Sequence, residues 1–313
     1  MSKIKAALVT GGAGFIGSNL VDALLEQGTH VKVLDNLSTG RIENLDHVID
    51  AIEFIEGDIR DLATLKNLAQ GCDVVFHQAA VVSVPLTVED PIFSAQVNDI
   101  GTLNVLEAAK KANVKRVVLA SSCAVYGDDP ALPKTEGMLV KPQTPYAIQK
   151  YTNELNAGIY ASLYNLETVC LRYFNVFGPR QDPSSPYSGV ISIFMNKALN
   201  KEKPVIYGDG TQFRDFVFVK DVVNANLLSA TALTPENQVL NIGTGHSIIV
   251  NDLWASISTL AGCSIEPQYE LPRAGDIFGS LADISRAQEM INYDPTYAFD
   301  DGLQLTYEWY RCR

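Results

Sequence analysis

Histidine and cysteine are scarce in this chain, and both are scattered. The four histidines, His30, His47, His77 and His246, lack metal-ligand spacing, so no metal site is expected. The five cysteines, Cys72, Cys123, Cys170, Cys263 and Cys312, are odd in number and contain no Cys-x-x-Cys pair. That excludes a disulfide framework and points to a reducing, cytoplasmic compartment. Basic residues are also short: 24 Lys and Arg stand against 36 Asp and Glu, a net charge of −12. Such a surface suits neither nucleic acid nor an anionic membrane, and an anionic ligand would need local positive groups. No apolar run approaches the roughly 20 residues of a membrane span. Met1-Ser2-Lys3-Ile4-Lys5 leads straight into an apolar strand, so no signal peptide is expected. Repeats and low-complexity tracts are missing too.

What is present is enough apolar material for a sizeable core. Hydrophobic residues make up 47% of the 313 positions and charged residues 19%, which allows one large domain or two sharing the chain. The run Ala6-Ala7-Leu8-Val9 reads as a buried strand. Phe15, Ile16, Leu20, Val21, Leu24 and Leu25 then recur at helical spacing. Between them lies Thr10-Gly11-Gly12-Ala13-Gly14-Phe15-Ile16-Gly17. A glycine-rich turn from strand to helix can hold a diphosphate on free backbone N–H groups at the positive end of the helix. Gly11 would permit the tight turn, Gly14 the approach of the phosphate, and Gly17 close packing of helix on strand.

The alternation continues. Strands are expected at 30–35, 52–56, 73–77, 116–121 and 167–173, and helices at 61–70, 97–112 and from Thr144-Pro145 through Tyr164. Apolar strands separated by amphipathic helices imply an α/β fold, a doubly wound parallel sheet of the Rossmann kind, with ligands at the carboxyl ends of the strands. After Tyr173 the rhythm breaks. Residues 174–214 read as loop-rich, and 215–245 as a return to the sheet through Phe216–Val219 and Val239–Ile242. The expected division is a dinucleotide-binding domain of residues 1–174 plus 215–245 and a smaller C-terminal substrate lobe of 175–214 plus 246–313.

Asp35 ends the second strand, 18 residues after Gly17. A carboxylate there accepts from a ribose diol and repels a 2′-phosphate, favouring NAD over NADP, with Arg41 the one nearby base that weakens the inference. Asp58-Ile59 ends the third strand, where Asp58 either touches the adenine or caps the helix near Asp61. Tyr146 and Lys150 are i and i+4 on one helix and share a face. A free tyrosine titrates near pH ~10, and a neighbouring ammonium with a nicotinamide cation would favour its phenolate. Ser122 ends the fifth strand, where its hydroxyl can bond a substrate oxygen.

With these residues the chain resembles the extended short-chain dehydrogenase/reductases, in particular the nucleotide-sugar 4-epimerases. The resemblance spans essentially the whole chain. It rests on the glycine turn, His77-Gln78-Ala79-Ala80, Ser121-Ser122-Cys123-Ala124-Val125-Tyr126-Gly127 and Thr144-Pro145-Tyr146-Ala147-Ile148-Gln149-Lys150. It continues through residues 171–178 and Gly208-Asp209-Gly210-Thr211-Gln212-Phe213-Arg214-Asp215-Phe216.

The resemblance implies that Ser122, Tyr146 and Lys150 are catalytic. Gly11, Gly14, Phe15, Ile16, Asp35, Asn36, Asp58, Ile59, Gln78, Ala79, Ala80, Asn98, Tyr146, Lys150 and Tyr173 would line NAD. A UDP-sugar would meet Ser122, Cys123, Tyr146, Asn175, Val190, Tyr207 and Ser280. Arg214 and Arg273 would hold its diphosphate and Asp276 its ribose. Arginine forks suit phosphate oxygens and supply the positive groups that the net charge demands. For Arg180 a solvated surface role remains open.

The expected reaction is NAD-dependent 4-epimerisation through a transient 4-keto sugar. Related dehydratases and uronic-acid decarboxylases carry an acid just before Val-Tyr-Gly, where this chain has Cys123-Ala124. Cys123 is then either a small wall residue or an acid–base thiol. A uronate would need a further cation that the sequence does not assign, and a non-catalytic NAD sensor would be expected to lose the Tyr/Lys pair. Ser280 is small where a bulky residue restricts the family's pocket to glucose and galactose, so N-acetylated sugars are expected to fit; a strand-start serine without substrate contact is the alternative. A homodimer through the helices near Asn98 and Pro145 is implied by the family.

Overall fold

The protein is described here by a computed structural model covering residues 3–183, 189–233, 237–272 and 277–312. Its first half alternates as the apolar pattern dictates: β1 (Ala6–Thr10), α1 (Phe15–Glu26), β2 (His30–Asp35), β3 (Ile52–Glu56), α2 (Leu62–Leu68), β4 (Val74–His77). Short helices α3 (Val84–Glu89) and α4 (Pro91–Ala95) follow, then a π turn over Gln96–Ile100 that runs into α5 (Gly101–Lys111). The expected 97–112 helix is therefore the end of a longer helical segment. Next come β5 (Arg116–Ser122), α6 (Pro145–Tyr164) and β6 (Glu167–Tyr173). Thr144 caps α6 by accepting from the Ala147 amide at 3.2 Å, Pro145 opens it, and Asn165 in the left-handed region (φ 54°) ends it.

The remainder comprises β7 (Asn175–Phe177), α7 (Val190–Leu199), β8 (Val205–Tyr207), β9 (Phe213–Arg214), β10 (Phe216–Phe218), α8 (Val219–Thr231), β11 (Asn237–Ile242), β12 (Ile248–Ile249), α9 (Val250–Ala261), β13 (Gln268–Glu270), β14 (Gly279–Ser280), α10 (Ser285–Ile291) and α11 (Phe299–Arg311).

Seven parallel strands form the central sheet in the order β11-β6-β5-β4-β1-β2-β3. The strand order reverses between β1 and β4, which opens a crevice at their carboxyl ends. One face of the sheet packs on α1 and α8 through Leu20, Val21, Leu24 and Val222. The other packs on α2, α5 and α6 through Leu65, Leu68, Val105, Leu106 and Ala157. This is a doubly wound α/β sheet.

One expectation for the second half needs correction. The stretch 174–214 is loop-rich as expected, with β7, α7, β8 and β9 set into it. The return to the sheet is half right: β11 pairs with β6 over six residues, but β10 pairs with β7 in a separate two-stranded sheet, and Val219 opens α8. The reason is aromatic packing. Phe216 and Phe218 pack with Phe177 and Phe299 in the core of the C-terminal lobe, alongside Phe194, Trp254 and Leu303. Among the described residues no helix is long and apolar enough to cross a membrane.

Candidate active site

The glycine turn stands at the crevice between β1 and β4. Gly11 has φ +71°, and a Cβ there would lie 2.7 Å from the Ala79 backbone nitrogen, so only glycine fits. Its amide donates to Leu34 O at 2.8 Å, tying the turn to β2. Gly14 is extended (φ −76°, ψ 179°) and immediately precedes α1, placing backbone rather than a side chain at the helix start. Phe15 and Ile16 pack against the core of the C-terminal lobe. Ala79 and Ala80 follow β4, and the Ala79 backbone lies against the turn at Gly11. A cradle that any Cβ would fill is the geometry a dinucleotide diphosphate requires, and the residues present fit NAD.

Asp35 is buried. Its carboxylate accepts from the Ala13 and Leu37 amides, both at 2.9 Å, which braces the glycine turn while leaving lone pairs for a diol. Burial raises its pKa, against those two hydrogen bonds. Arg41, the base that weakened the NAD inference, is ion-paired with Asp182. Asn36 donates to Asp58 at 2.9 Å, and Arg60 grips the same carboxylate through two nitrogens at 2.9 and 2.8 Å. The Arg60 hydrogen bond chiefly lowers Asp58 to about 2. The alternative in which Asp58 caps α2 is not observed: Asp61 accepts from the Ala63 and Thr64 amides instead. Ile59 is buried in the α2–α5 core, against Gly101.

Gln78 and Tyr173 meet at the strand ends. The Gln78 amide donates to the Tyr173 hydroxyl at 3.1 Å and to Asn226 Oδ1 at 3.0 Å, and Asn226 Nδ2 donates to the same hydroxyl at 2.8 Å. Burial pushes the Tyr173 phenol up to about 12, so it is neutral. Asn98 is only 1% exposed. Its amide bonds both backbone groups of Val81 and the Gln149 side chain, so it shapes the loop after Ala80.

Ser122, Tyr146 and Lys150 converge beside this crevice. The Tyr146 phenol lies by the Ser122 side chain. Lys150 Nζ donates to the Ala120 carbonyl at 2.8 Å and lies 5.8 Å from the centre of the Tyr146 ring. Without a cofactor, burial raises the phenol to about 12, with Ser122 opposing, and burial lowers Lys150 to about 8. The ammonium is directed at a backbone carbonyl, so the polypeptide by itself does not favour the phenolate.

On the substrate side, Asn175, Val190, Tyr207 and Arg214 line one cavity of about 440 Å³. A neighbouring cavity of about 830 Å³ shares Tyr207 and Arg214 and extends to Tyr269, Leu271 and Phe278. Arg214 donates to the carbonyls of Phe213 (2.8 Å) and Phe278 (3.0 Å). Ser280 pairs in register with Arg214, and Cys123 lies close to Ser280. Burial pushes the Cys123 thiol up to about 11, so it is neutral near pH 7. Arg273 and Asp276 lie outside the described residues. Arg180 is not merely solvated: it donates to Asp22 on α1 at 2.7 Å.

Two residues at the site escaped the sequence reading. Asp215 is fully buried and receives the Thr244, Gly245 and Ala282 amides, fastening β9 to the loops beside Ser280. Its position directly after Arg214 in the quoted motif was a usable signal. Asn226 gave none, because it lies mid-helix, 148 residues from Gln78.

A parallel sheet that cradles a dinucleotide at its strand reversal, with a Ser–Tyr–Lys set beside it, defines a Rossmann-fold enzyme of nicotinamide-dependent chemistry. More narrowly, the chain belongs to the NAD dependent epimerase/dehydratase family, which matches residues 7–243. It is 42% identical over 308 residues to the UDP-glucose 4-epimerase of Mycolicibacterium smegmatis, covering 97% of this chain and 98% of that one. Among solved structures it resembles the UDP-glucose 4-epimerase of Thermotoga maritima with UDP-glucose (TM-score 0.93, 40% identity, 98% and 99% coverage). It also resembles the UDP-N-acetylglucosamine 4-epimerase of Methanobrevibacter ruminantium M1 in complex with UDP-N-acetylmuramic acid (TM-score 0.94, 43% identity, 99% of both chains).

Proposed function

We propose that the protein is a UDP-sugar 4-epimerase that accepts both UDP-glucose/UDP-galactose and UDP-GlcNAc/UDP-GalNAc. The observation that carries the wider substrate range is the small side chain at Ser280, in register with Arg214 and close to Cys123. Named relatives of both kinds support the reaction. The dehydratase and decarboxylase readings are disfavoured, because Cys123-Ala124 supplies no carboxylate and the thiol stays protonated near neutral pH.

NAD, when bound along Gly11, Gly14, Asp35, Gln78 and Tyr173, would supply a hydride acceptor that returns the hydride to the same sugar. Tyr146 removes the proton of the sugar 4-hydroxyl and later returns one to the C4 oxygen, after the 4-keto sugar has turned its other face to the returning hydride. Ser122 orients that oxygen and donates to the charge that develops on it. Lys150 adds the positive charge that a bound cofactor shares with it. Asn175, Tyr207, Arg214 and the arginine and acid at 273 and 276 hold the UDP group while the sugar turns over.

The reading divides the chain into nucleotide-binding residues 1–174 plus 215–245 and a sugar-binding lobe of 175–214 plus 246–313. It places the protein in the cytoplasm, in keeping with five free cysteines. It also includes a homodimer. α6 exposes Ile148, Leu155, Ile159 and Leu163, and the neighbouring helical segment exposes Ile92 and Ile100. Two such faces from two copies would cover each other.

The test is incubation of purified protein with UDP-GlcNAc, and separately UDP-glucose, without added NAD, with products identified by NMR. C4-inverted sugars from both are expected. A 4-keto-6-deoxy product, or no turnover in wild type and Tyr146→Phe alike, would overturn the proposal.

A further inference from the structure

Tyr146, Lys150 and Glu154 recur every four residues on α6 and form one stripe along the helix. Each stands against one of three successive residues at the end of β5. Tyr146 lies by Ser122, Lys150 donates to the Ala120 carbonyl at 2.8 Å, and Glu154 accepts from the Ser121 hydroxyl at 2.5 Å. Two members of this ladder are catalytic in the proposed reaction. The third has no assigned role.

Glu154 is unusually well held. Arg172 on β6 donates to both its oxygens, at 2.8 and 2.7 Å, and the two side chains are 4% and 3% exposed. The guanidinium lies 4.8 Å from the centre of the Tyr126 ring, and the Tyr126 hydroxyl donates to Asn241 on β11 at 2.6 Å. The network thus joins α6 to β5, β6, β11 and the turn after β5. A buried ion pair of this kind is weak evidence for stability, because desolvation offsets much of the attraction. Its placement has a second consequence, since it sets a carboxylate one helical turn from the Lys150 ammonium.

We propose that Glu154 is a positioning residue for Lys150: it fixes the register of α6 on the end of β5 and supplies the negative charge against which the buried ammonium is set. The groups around Lys150 support this. On β4, His77 is neutral, drawn down to about 3 by burial. On β6, burial holds the Cys170 thiol protonated, and on α6 the Tyr146 phenol is neutral. Glu154 is ion-paired and acts on Lys150 to hold its proton, while burial pulls the lysine the other way, to about 8. Arg172, the remaining charge of the network, is turned to Glu154 and Tyr126.

The inference rests on the reading of Lys150 as catalytic, so its test includes a readout that does not depend on turnover. Full-length protein is made with lysine labelled with carbon-13 at the ε position, and the Lys150 signal is assigned by its loss in Lys150→Arg. The wild-type signal is expected to titrate near pH 8. Glu154→Gln is expected to lower that midpoint by roughly one unit, the size of a lost neighbouring charge. Glu154→Asp, which keeps the charge, is expected to restore most of it. The alkaline limb of kcat/KM for UDP-glucose should move down in step.

Should Glu154→Gln not fold, the double variant Glu154→Met with Arg172→Met removes the pair without stranding a charge and carries the same test. An unmoved midpoint in a folded variant overturns the proposal. So does failure of both variants to fold, which would make the pair a fold element alone. A lowered midpoint with an unmoved alkaline limb upholds the positioning of Lys150 and counts instead against its catalytic reading.

Discussion

Ser280 and Arg214 face each other where β14 runs alongside β9, and the Asp215 amide donates to the Ser280 carbonyl at 2.8 Å. In the proposed site, the residue that would set the width of the sugar pocket is therefore held by the strand that carries Arg214, and the buried Asp215 carboxylate fastens that small sheet to the neighbouring loops.

A bulky side chain at position 280 should then narrow the pocket without loosening the UDP group. Ser280→Tyr is expected to lower kcat/KM for UDP-GlcNAc at least about tenfold while sparing UDP-galactose, because exclusion acts only on the acetamido group. Steady-state assays on both substrates check this. Equal losses on the two would show that Ser280 does not read the sugar.

Removing the Tyr146 hydroxyl should abolish proton transfer and leave binding intact. Tyr146→Phe is expected to reduce kcat by roughly 10²–10⁴-fold, the usual range for a lost acid–base group. UDP binding by calorimetry should be unchanged. In wild type the phenol stands at about 12 through burial, so binding of NAD⁺ should lower it. An ultraviolet difference spectrum of a tyrosinate that appears at lower pH with NAD⁺ than without it measures that shift directly.

A cofactor that returns its hydride to the same molecule has no need to leave. Wild-type protein is expected to retain NAD through purification, as read by enzymatic assay of a perchloric acid extract. Gly11→Ala forces a side chain into a left-handed conformation and against the Ala79 backbone, a cost of roughly 1–2 kcal/mol before the clash is counted. Its NAD content should fall well below that of wild type. Full retention by the variant would argue that the turn does not hold the diphosphate.

His77 links the site to acid stability. Its ring bridges the Thr10 and Thr102 hydroxyls at 2.7 and 2.9 Å, and burial lowers its pKa from 6.5 to about 3. Below pH 6.5 the unfolded chain takes up a proton that the folded protein refuses. The contribution of His77 is therefore complete above pH 6.5 and is lost as pH falls toward 3. Urea midpoints measured across that window should fall more steeply for wild type than for His77→Gln. A His77 ring signal that titrates near 6.5 in the native state would contradict this.

The sequence by itself determined whatever depends on neighbours along the chain. The turn from β1 to α1 is legible because only glycine tolerates φ +71° at Gly11, and Asp35 because strand length fixes where β2 ends. Tyr146 and Lys150 are legible because four residues make one turn of helix. The tertiary structure decided what depends on distant segments meeting. It put β10 beside β7 rather than in the main sheet, brought Asn226 to Gln78 and Tyr173, and set Ser280 against Cys123 and Arg214. It also buries the Tyr146 phenol, and that desolvation depends on everything that surrounds the group and not only on the lysine one turn away.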